Sequence, residues 1–239
     1  MGNLMGKSVK RVEDKRFLTG KGQYTDDITL PGMTYATIIR SPFAHANIKS
    51  IDTSAAQNAP GYVASFVGSD IPDAIAGVPC GWQVDFKNGD TMKEPPHPLL
   101  ARRKARHVGD AVAVVIAETQ AQAKDAASLV EIEYEELPAV TDISAALKDG
   151  APQLHEEVPN NCIFEWELGS GLDAVNSALE SAAHVTKLDI VNQRLIPNAI
   201  EPRSAIGDYD DSRDYYTLYT SSQNPHVIRL LMCAFVLGL

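Results

Sequence analysis

The chain has 239 residues, 44% of them apolar, enough for one large domain or two small ones around a sizeable core. A net charge of −10 and a pI near 5.0 argue against general nucleic-acid binding. The longest apolar stretch, residues 230–239, is about half of what a membrane-spanning helix needs.

Residues 1–16 are polar and basic without periodicity, which predicts an extended N-terminal arm. A turn-rich entry follows, marked by Gly20, Gly22, Asp26 and Asp27. Residues 33–40 (MTYATIIR), 46–52 (ANIKSID) and 62–68 (YVASFVG) read as strands, with one helical turn at 53–58. Residues 73–106 are irregular, rich in Gly and Pro, and carry the basic cluster Lys93, Arg102, Arg103, Lys104 and Arg106. Charge patterning reads that cluster as a solvated or subunit-facing edge. Residues 111–117 (AVAVVIA) form a continuous apolar run, as expected of a strand buried on both faces. A helix at 120–129 and a strand at 130–135 complete an apparent β-α-β unit.

A connector with a short helix at 143–148 ends in turns at 149–152 and 159–161, which places a domain boundary near 150–162. The second half reads as a strand at 162–168, a helix at 172–183, and strands at 184–195, 199–208 and 215–220 forming an antiparallel meander. The turn 221–224 then opens a terminal helix, with Ser222 or Asn224 as N-cap and Pro225 at the first helical position. Backbone N–H groups at such a turn favour an anion or oxo group, and the Gln223 amide beside them can donate or accept. The terminal helix exposes Leu230, Leu231, Phe235, Val236 and Leu237, a face that a partner or self-association would cover.

Familiar catalytic signatures are absent: no P-loop, no dinucleotide fingerprint, no H-E-x-x-H and no nucleophile elbow. The six histidines show no ligand spacing. The cysteines Cys80, Cys162 and Cys233 are scattered and read as free thiols in a reducing cytoplasm. The residues alone therefore define an α+β protein and little chemistry.

Three groups of segments, taken together, resemble the large subunit of the xanthine oxidase family of molybdenum hydroxylases. They are 16–27 (RFLTGKGQYTDD) with 39–46 (IRSPFAHA), 108–115 (VGDAVAVV) with 130–138 (VEIEYEELP), and 192–203 (NQRLIPNAIEPR) with 219–226 (YTSSQNPH). The wording is closest to the aerobic carbon monoxide dehydrogenase type of large chain. The resemblance implies an N-terminal arm (1–16), an α/β hammerhead domain (17–150) and the start of a molybdopterin-binding α+β domain (151–239). It implies molybdenum on molybdopterin, as the cytosine dinucleotide, with iron–sulfur and FAD centres on partner subunits. In the family a water-derived oxygen on molybdenum is delivered to the substrate.

By the same resemblance, Gln223 matches the glutamine whose amide hydrogen-bonds an oxo ligand of molybdenum, with Asn224 beside it. A neutral amide can donate there without adding charge. Glu201 and Arg203 fall in a strand near the family's substrate channel, and Gln193 and Arg194 are weaker matches. An ion pair between Glu201 and Arg203, at i and i+2 on one face, is the competing reading. The family's glycine-rich pterin loop, substrate-selecting loop and catalytic glutamate have no counterpart among these residues. The chain is therefore expected to be the N-terminal portion of a large subunit, inactive alone and completed by a complementary C-terminal segment. Two alternatives stand beside carbon monoxide oxidation: a non-catalytic docking module, and an aldehyde or N-heterocycle hydroxylase of the same family.

Overall fold

A computed structural model describes residues 5–75, 77–86, 88–169, 171–192 and 195–239. In chain order the elements are α1 (Asp14–Leu18), β1 (Tyr35–Arg40), β2 (Ala46–Asp52), α2 (Ser54–Gln57), β3 (Tyr62–Val67), β4 (Lys104–Ala105), β5 (Ala111–Ala117), α3 (Gln120–Ala127), β6 (Glu131–Glu136), α4 (Ile143–Ala146), α5 (Leu172–Ser181), β7 (Ala205–Asp210), β8 (Tyr215–Thr220) and α6 (Pro225–Leu230). A π-helical turn, Leu231–Leu237, follows α6. The residues fall into two compact units. One comprises the N-terminal residues up to Met33 with Val191–Asn224, the other Thr34–Ile190 with Pro225–Leu239.

The larger unit is built on β5. Val112 and Ala113, adjacent in sequence and so pointing to opposite faces, are both fully buried. The run is thus covered on both sides, as its composition predicts. It sits at the centre of a three-stranded sheet in the order β1-β5-β3, antiparallel to both neighbours. On one face Val115 packs with Ala56 of α2 and Ala126 of α3, flanked by Ile39, Tyr62 and Val130. Alanines on the inner face of α3 let its backbone approach the sheet closely. Its N-terminus is capped by Thr119, whose hydroxyl accepts from the Gln122 N–H at 3.3 Å. Each fully buried valine of this layer contributes about 1.5–3 kcal/mol over leaving it in water.

The apparent β-α-β unit is not one. β6 leaves the β5 sheet and joins a second antiparallel sheet in the order β4-β2-β6. Side-chain chemistry explains this. β6 (EIEYEE) has only Ile132 and Tyr134 half-buried and its glutamates exposed, so it can cover one face only. Beside β5 it would place carboxylates in a layer that is dry on both sides.

Gly68 ends β3 where the backbone of Ala101 and Arg102 passes over it. A Cβ at position 68 would lie 2.7 Å from the Ala101 carbonyl oxygen, so only glycine fits. Beyond residue 136 the connector is pinned by side chains. Asn161 donates to the Ala146 and Pro152 carbonyls at 3.0 Å each and accepts from the Leu154 N–H, while Val158 is buried.

The second half departs from its expected strands. Residues 162–168 and 184–192 form no ladder among the described residues, and the strand expected at 199–208 begins only at Ala205. The three-stranded meander is therefore a two-stranded hairpin, β7–β8. β-propensity supplies an extended chain, but a strand also needs a neighbouring edge. The expected N-terminal arm is partly helical, since α1 starts at Asp14 with Arg11 Nε on the Asp14 carboxylate at 2.9 Å. The terminal helix is also less exposed than expected: Val236 is buried, while Leu230 and Phe235 remain exposed.

Candidate functional site

The β7–β8 hairpin brings the predicted site residues to one end of a single element. Its closed end is the turn 211–214, fixed by Ser212 donating to the Asp210 carboxylate and by Tyr209 donating to Asp214 at 3.0 Å. The Asp214 carboxylate raises the Tyr209 pKa. At the open end Ala205 lies opposite Thr220, and the Thr220 hydroxyl donates to the Ser204 carbonyl at 3.0 Å. The residues before β7, Glu201 and Arg203, and those after β8, Gln223 and Asn224, therefore leave the hairpin at the same end.

Ser222 does not act as a helix cap. Its hydroxyl accepts from the Asn224 N–H at 2.9 Å and closes the turn around Gln223. Pro225 occupies the first position of α6, as its missing N–H predicts. Gln223 is exposed, and its amide makes no hydrogen bond among the described residues. Glu201 is half-buried and Arg203 exposed, and the two do not form an ion pair with each other. The competing reading of them as a paired strand face is thus not what the structure shows. Gln193 and Arg194 lie outside the described residues.

An arrangement with one neutral amide and one guanidinium, both free among the described residues, and one half-buried carboxylate suits a polar group bound from outside. Amide N–H groups can donate to a metal-bound anion without changing its net charge. These residues are compatible with a molybdenum–pterin group in that respect, with Gln223 as the donor. Among the described residues no three His, Cys, Asp or Glu side chains come together in a metal-ligating group.

Three members of the basic cluster, expected at a solvated or subunit-facing edge, are ion-paired. Arg102 pairs with Asp73 and donates to the Ile71 carbonyl. Lys104 and Arg106 share the Glu156 carboxylate at 2.5 and 3.2 Å, and Arg106 also donates to the Leu154 carbonyl at 2.9 Å. The Lys104 ammonium, with further help from Arg106, holds Glu156 down to a pKa of about 2. Together with Asn47 these side chains line an open cavity of about 910 Å³. Sequence reasoning missed this because Glu156 lies some fifty residues beyond Lys104, in a connector with no motif.

Beside it, His45 is buried, with Nδ1 2.7 Å from the Pro138 carbonyl and Nε2 without a partner among the described residues. His155 Nδ1 and the Tyr134 hydroxyl are likewise buried without one. Burial, reinforced by the Arg106 charge, pushes the His155 pKa down. Burial also raises that of Tyr134, against the opposing influence of the nearby Ser41 hydroxyl.

This architecture is that of a hammerhead domain followed by a cofactor-binding one. Residues 19–138 match the family model of the aldehyde oxidase and xanthine dehydrogenase a/b hammerhead domain, and residues 154–239 match that of the molybdopterin cofactor-binding domain. The chain belongs to the xanthine oxidase family of molybdenum hydroxylases, on the side of its large, molybdopterin-binding subunit.

Relatives include the nicotine 6-hydroxylase large subunit of Paenarthrobacter nicotinovorans, 36% identical over 98% of this chain and 28% of that protein. The carbon monoxide dehydrogenase large chain of Afipia carboxidovorans is 34% identical over 95% of this chain and 28% of its own length. Among solved structures, quinoline 2-oxidoreductase from Pseudomonas putida 86 superposes with a TM-score of 0.87 at 35% identity, over 99% of this chain and 29% of that one. The chain thus spans about 28% of the length of the relatives it matches.

Proposed function

We propose that the chain is the N-terminal portion of a molybdenum hydroxylase large subunit and that Gln223 hydrogen-bonds the molybdenum centre of the complete enzyme. The observation that carries this is the exposed Gln223 amide, free among the described residues, in a turn fixed by Ser222 at the open end of the β7–β8 hairpin. Asn224 adjoins the cofactor, and Glu201 and Arg203 border the substrate channel at that same end. The domain division follows the sequence: an arm at 1–16, the hammerhead at 17–150 and the cofactor domain from 151. Molybdenum–molybdopterin in its cytosine dinucleotide form, held with the help of the Gln223 amide, would supply hydroxylation with an oxygen taken from water. Iron–sulfur and flavin subunits would be its partners. The three free cysteines suit a cytoplasmic location.

The role of Gln223 is tested in the complete subunit complex. Gln223→Ala is expected to lower turnover by about 10–100-fold, the usual effect of losing a group that supports a metal centre, with the fold intact. Unchanged turnover removes the role. The 239-residue chain alone is expected to give no turnover with a dye acceptor, and measurable oxidation of carbon monoxide or an aldehyde by it overturns that part.

Two readings of the substrate follow. Carbon monoxide is the first, from the wording of the segments. An N-heteroaromatic ring is the second, favoured by the 36% identity to nicotine 6-hydroxylase and by the superposition on quinoline 2-oxidoreductase. Assaying the complete complex with carbon monoxide, nicotine and quinoline in parallel separates them.

A further inference from the structure

The cavity at β4 keeps its positive charge in the wall and its negative charge in solvent. The Lys104 and Arg106 side chains are 20% and 27% exposed, whereas the Glu156 carboxylate they share is 66% exposed. Arg102 and its partner Asp73 divide in the same sense. The cations are set by backbone. Lys104 stands opposite Asn47 in the β2–β4 ladder, Arg106 donates to the Leu154 carbonyl at 2.9 Å, and Arg102 donates to the Ile71 carbonyl at 2.9 Å. Their carboxylate partners are exposed side chains, and an ion pair with such a partner is weak and replaceable.

Arg103 adds a further charge. Its carbonyl accepts from the Ile48 N–H at 2.8 Å, which fixes its backbone, while its exposed guanidinium has no ion pair or hydrogen bond among the described residues. Four cations meet three carboxylates in this lining, against a net charge of −10 for the whole chain. Ile75, Pro96 and Pro98 give the lining an apolar part. Gly77 lets that part close up, because a Cβ there would run into the His97 carbonyl. A volume of about 910 Å³ is that of a small-molecule site.

The charge of the ligand follows from what it must replace. A monocarboxylate would offer Lys104 and Arg106 only what Glu156 already gives them. A phosphate dianion brings a second charge and a third oxygen, which the Arg103 fork can take. Glu156 is ionised at neutral pH, its pKa being held down to about 2, so the exchange is anion for anion with no proton taken up.

We infer that this cavity binds a small phosphomonoester with an apolar body, and that Glu156 holds the place of its phosphate. The phosphate sits between Lys104 and Arg106, Arg103 closes on its remaining oxygen, and Ile75 with the two prolines covers the apolar body. The inference uses none of the residues assigned to the molybdenum centre and is independent of that role.

The test titrates phenyl phosphate into the complete subunit complex by calorimetry at about pH 7.5, where a phosphomonoester is a dianion. The expected result is one site per large subunit, filled more tightly by phenyl phosphate than by inorganic phosphate and weakened by added salt. Glu156→Gln is expected to tighten binding about tenfold by releasing the two cations, and Arg103→Gln to weaken it about tenfold. A gain of affinity in Glu156→Gln cannot come from misfolding, which keeps the outcome readable. The inference is overturned if neither the natural complex nor Glu156→Gln binds phenyl phosphate saturably, or if Arg103→Gln leaves the affinity unchanged. Inorganic phosphate binding as tightly as phenyl phosphate also overturns it, since the apolar lining then has no role. So does binding of a polyglutamate peptide without binding of phenyl phosphate, which assigns the groove to an acidic partner segment.

Discussion

β5 (AVAVVIA) and the stretch 184–190 (HVTKLDI) both read as strands from their β-prone residues, and they have opposite fates. In β5, Val112, Ala113, Val115 and Ala117 are fully buried, and every neighbouring strand is supplied by the same unit. In 184–190, Val185, Leu188 and Ile190 are more than half exposed and no strand lies alongside among the described residues. The difference lies in what surrounds each segment. β1, β3, α2 and α3 come from sequence on either side of β5 and close over it. Among the described residues nothing comparable closes over α5. A strand is a statement about two chains, and only one is present in the second case.

The largest predicted effect tests the packed side. Val115→Asp places a carboxylate against Ala56 and Ala126 with no partner. A loss above about 4 kcal/mol is expected, enough to unfold the unit, read as loss of the urea transition. Next comes Gly68→Ala, where the Ala101 carbonyl blocks the new methyl group. A cost of about 1–3 kcal/mol is expected, measured as a lowered denaturation midpoint at an unchanged slope.

A smaller effect concerns the connector. Its two shifted groups sharpen the comparison because they hold a segment by charge rather than by apolar cover. His155 is neutral in the fold and its pKa is depressed below 6.5, so its contribution is complete above pH 6.5 and falls as pH drops below that value. Glu156, held at about 2 against an ordinary 4.5, contributes fully above 4.5 and is lost as pH falls through 2. Between pH 6.5 and 4.5 only His155 acts. The urea midpoint should therefore decline across that window in the natural protein and stay flat in His155→Gln. Glu156→Gln at pH 7 should cost no more than about 1 kcal/mol, because the shared carboxylate is itself two-thirds exposed and screened by solvent.

The smallest effect tests the open side. Leu172→Asp should change the stability of this chain by less than about 0.5 kcal/mol, since the side chain is 66% exposed and α5 buries no residue. A loss of 2 kcal/mol or more at position 172 erases the contrast with Val115.

Local readings survived where one segment's own chemistry suffices. The apolar run of β5, the helix α3, Pro225 at the start of α6 and the polar turn at Gln223 were all legible in residue order. So was the family, because its marks are short stretches of wording rather than a shape. Pairing was not legible. That β6 joins β2 and not β5 follows from its glutamates only once the covered faces of β5 are known. The meander failed at 184–192 because high β-propensity cannot provide a partner. The link between Glu156 and Lys104 with Arg106 had no local signal at all.

By itself, then, the sequence determined the strands β1, β2, β3, β5 and β6, the helix α3, the character of the first core and the place of the Gln223 amide in the turn after β8. Tertiary structure decided the rest: which strands pair, that Glu201, Arg203, Gln223 and Asn224 share the open end of one hairpin, and that α5 buries no residue. The physical reason is range. Backbone propensity and capping act over a few residues, whereas burial and pairing depend on surfaces brought together from distant parts of the chain.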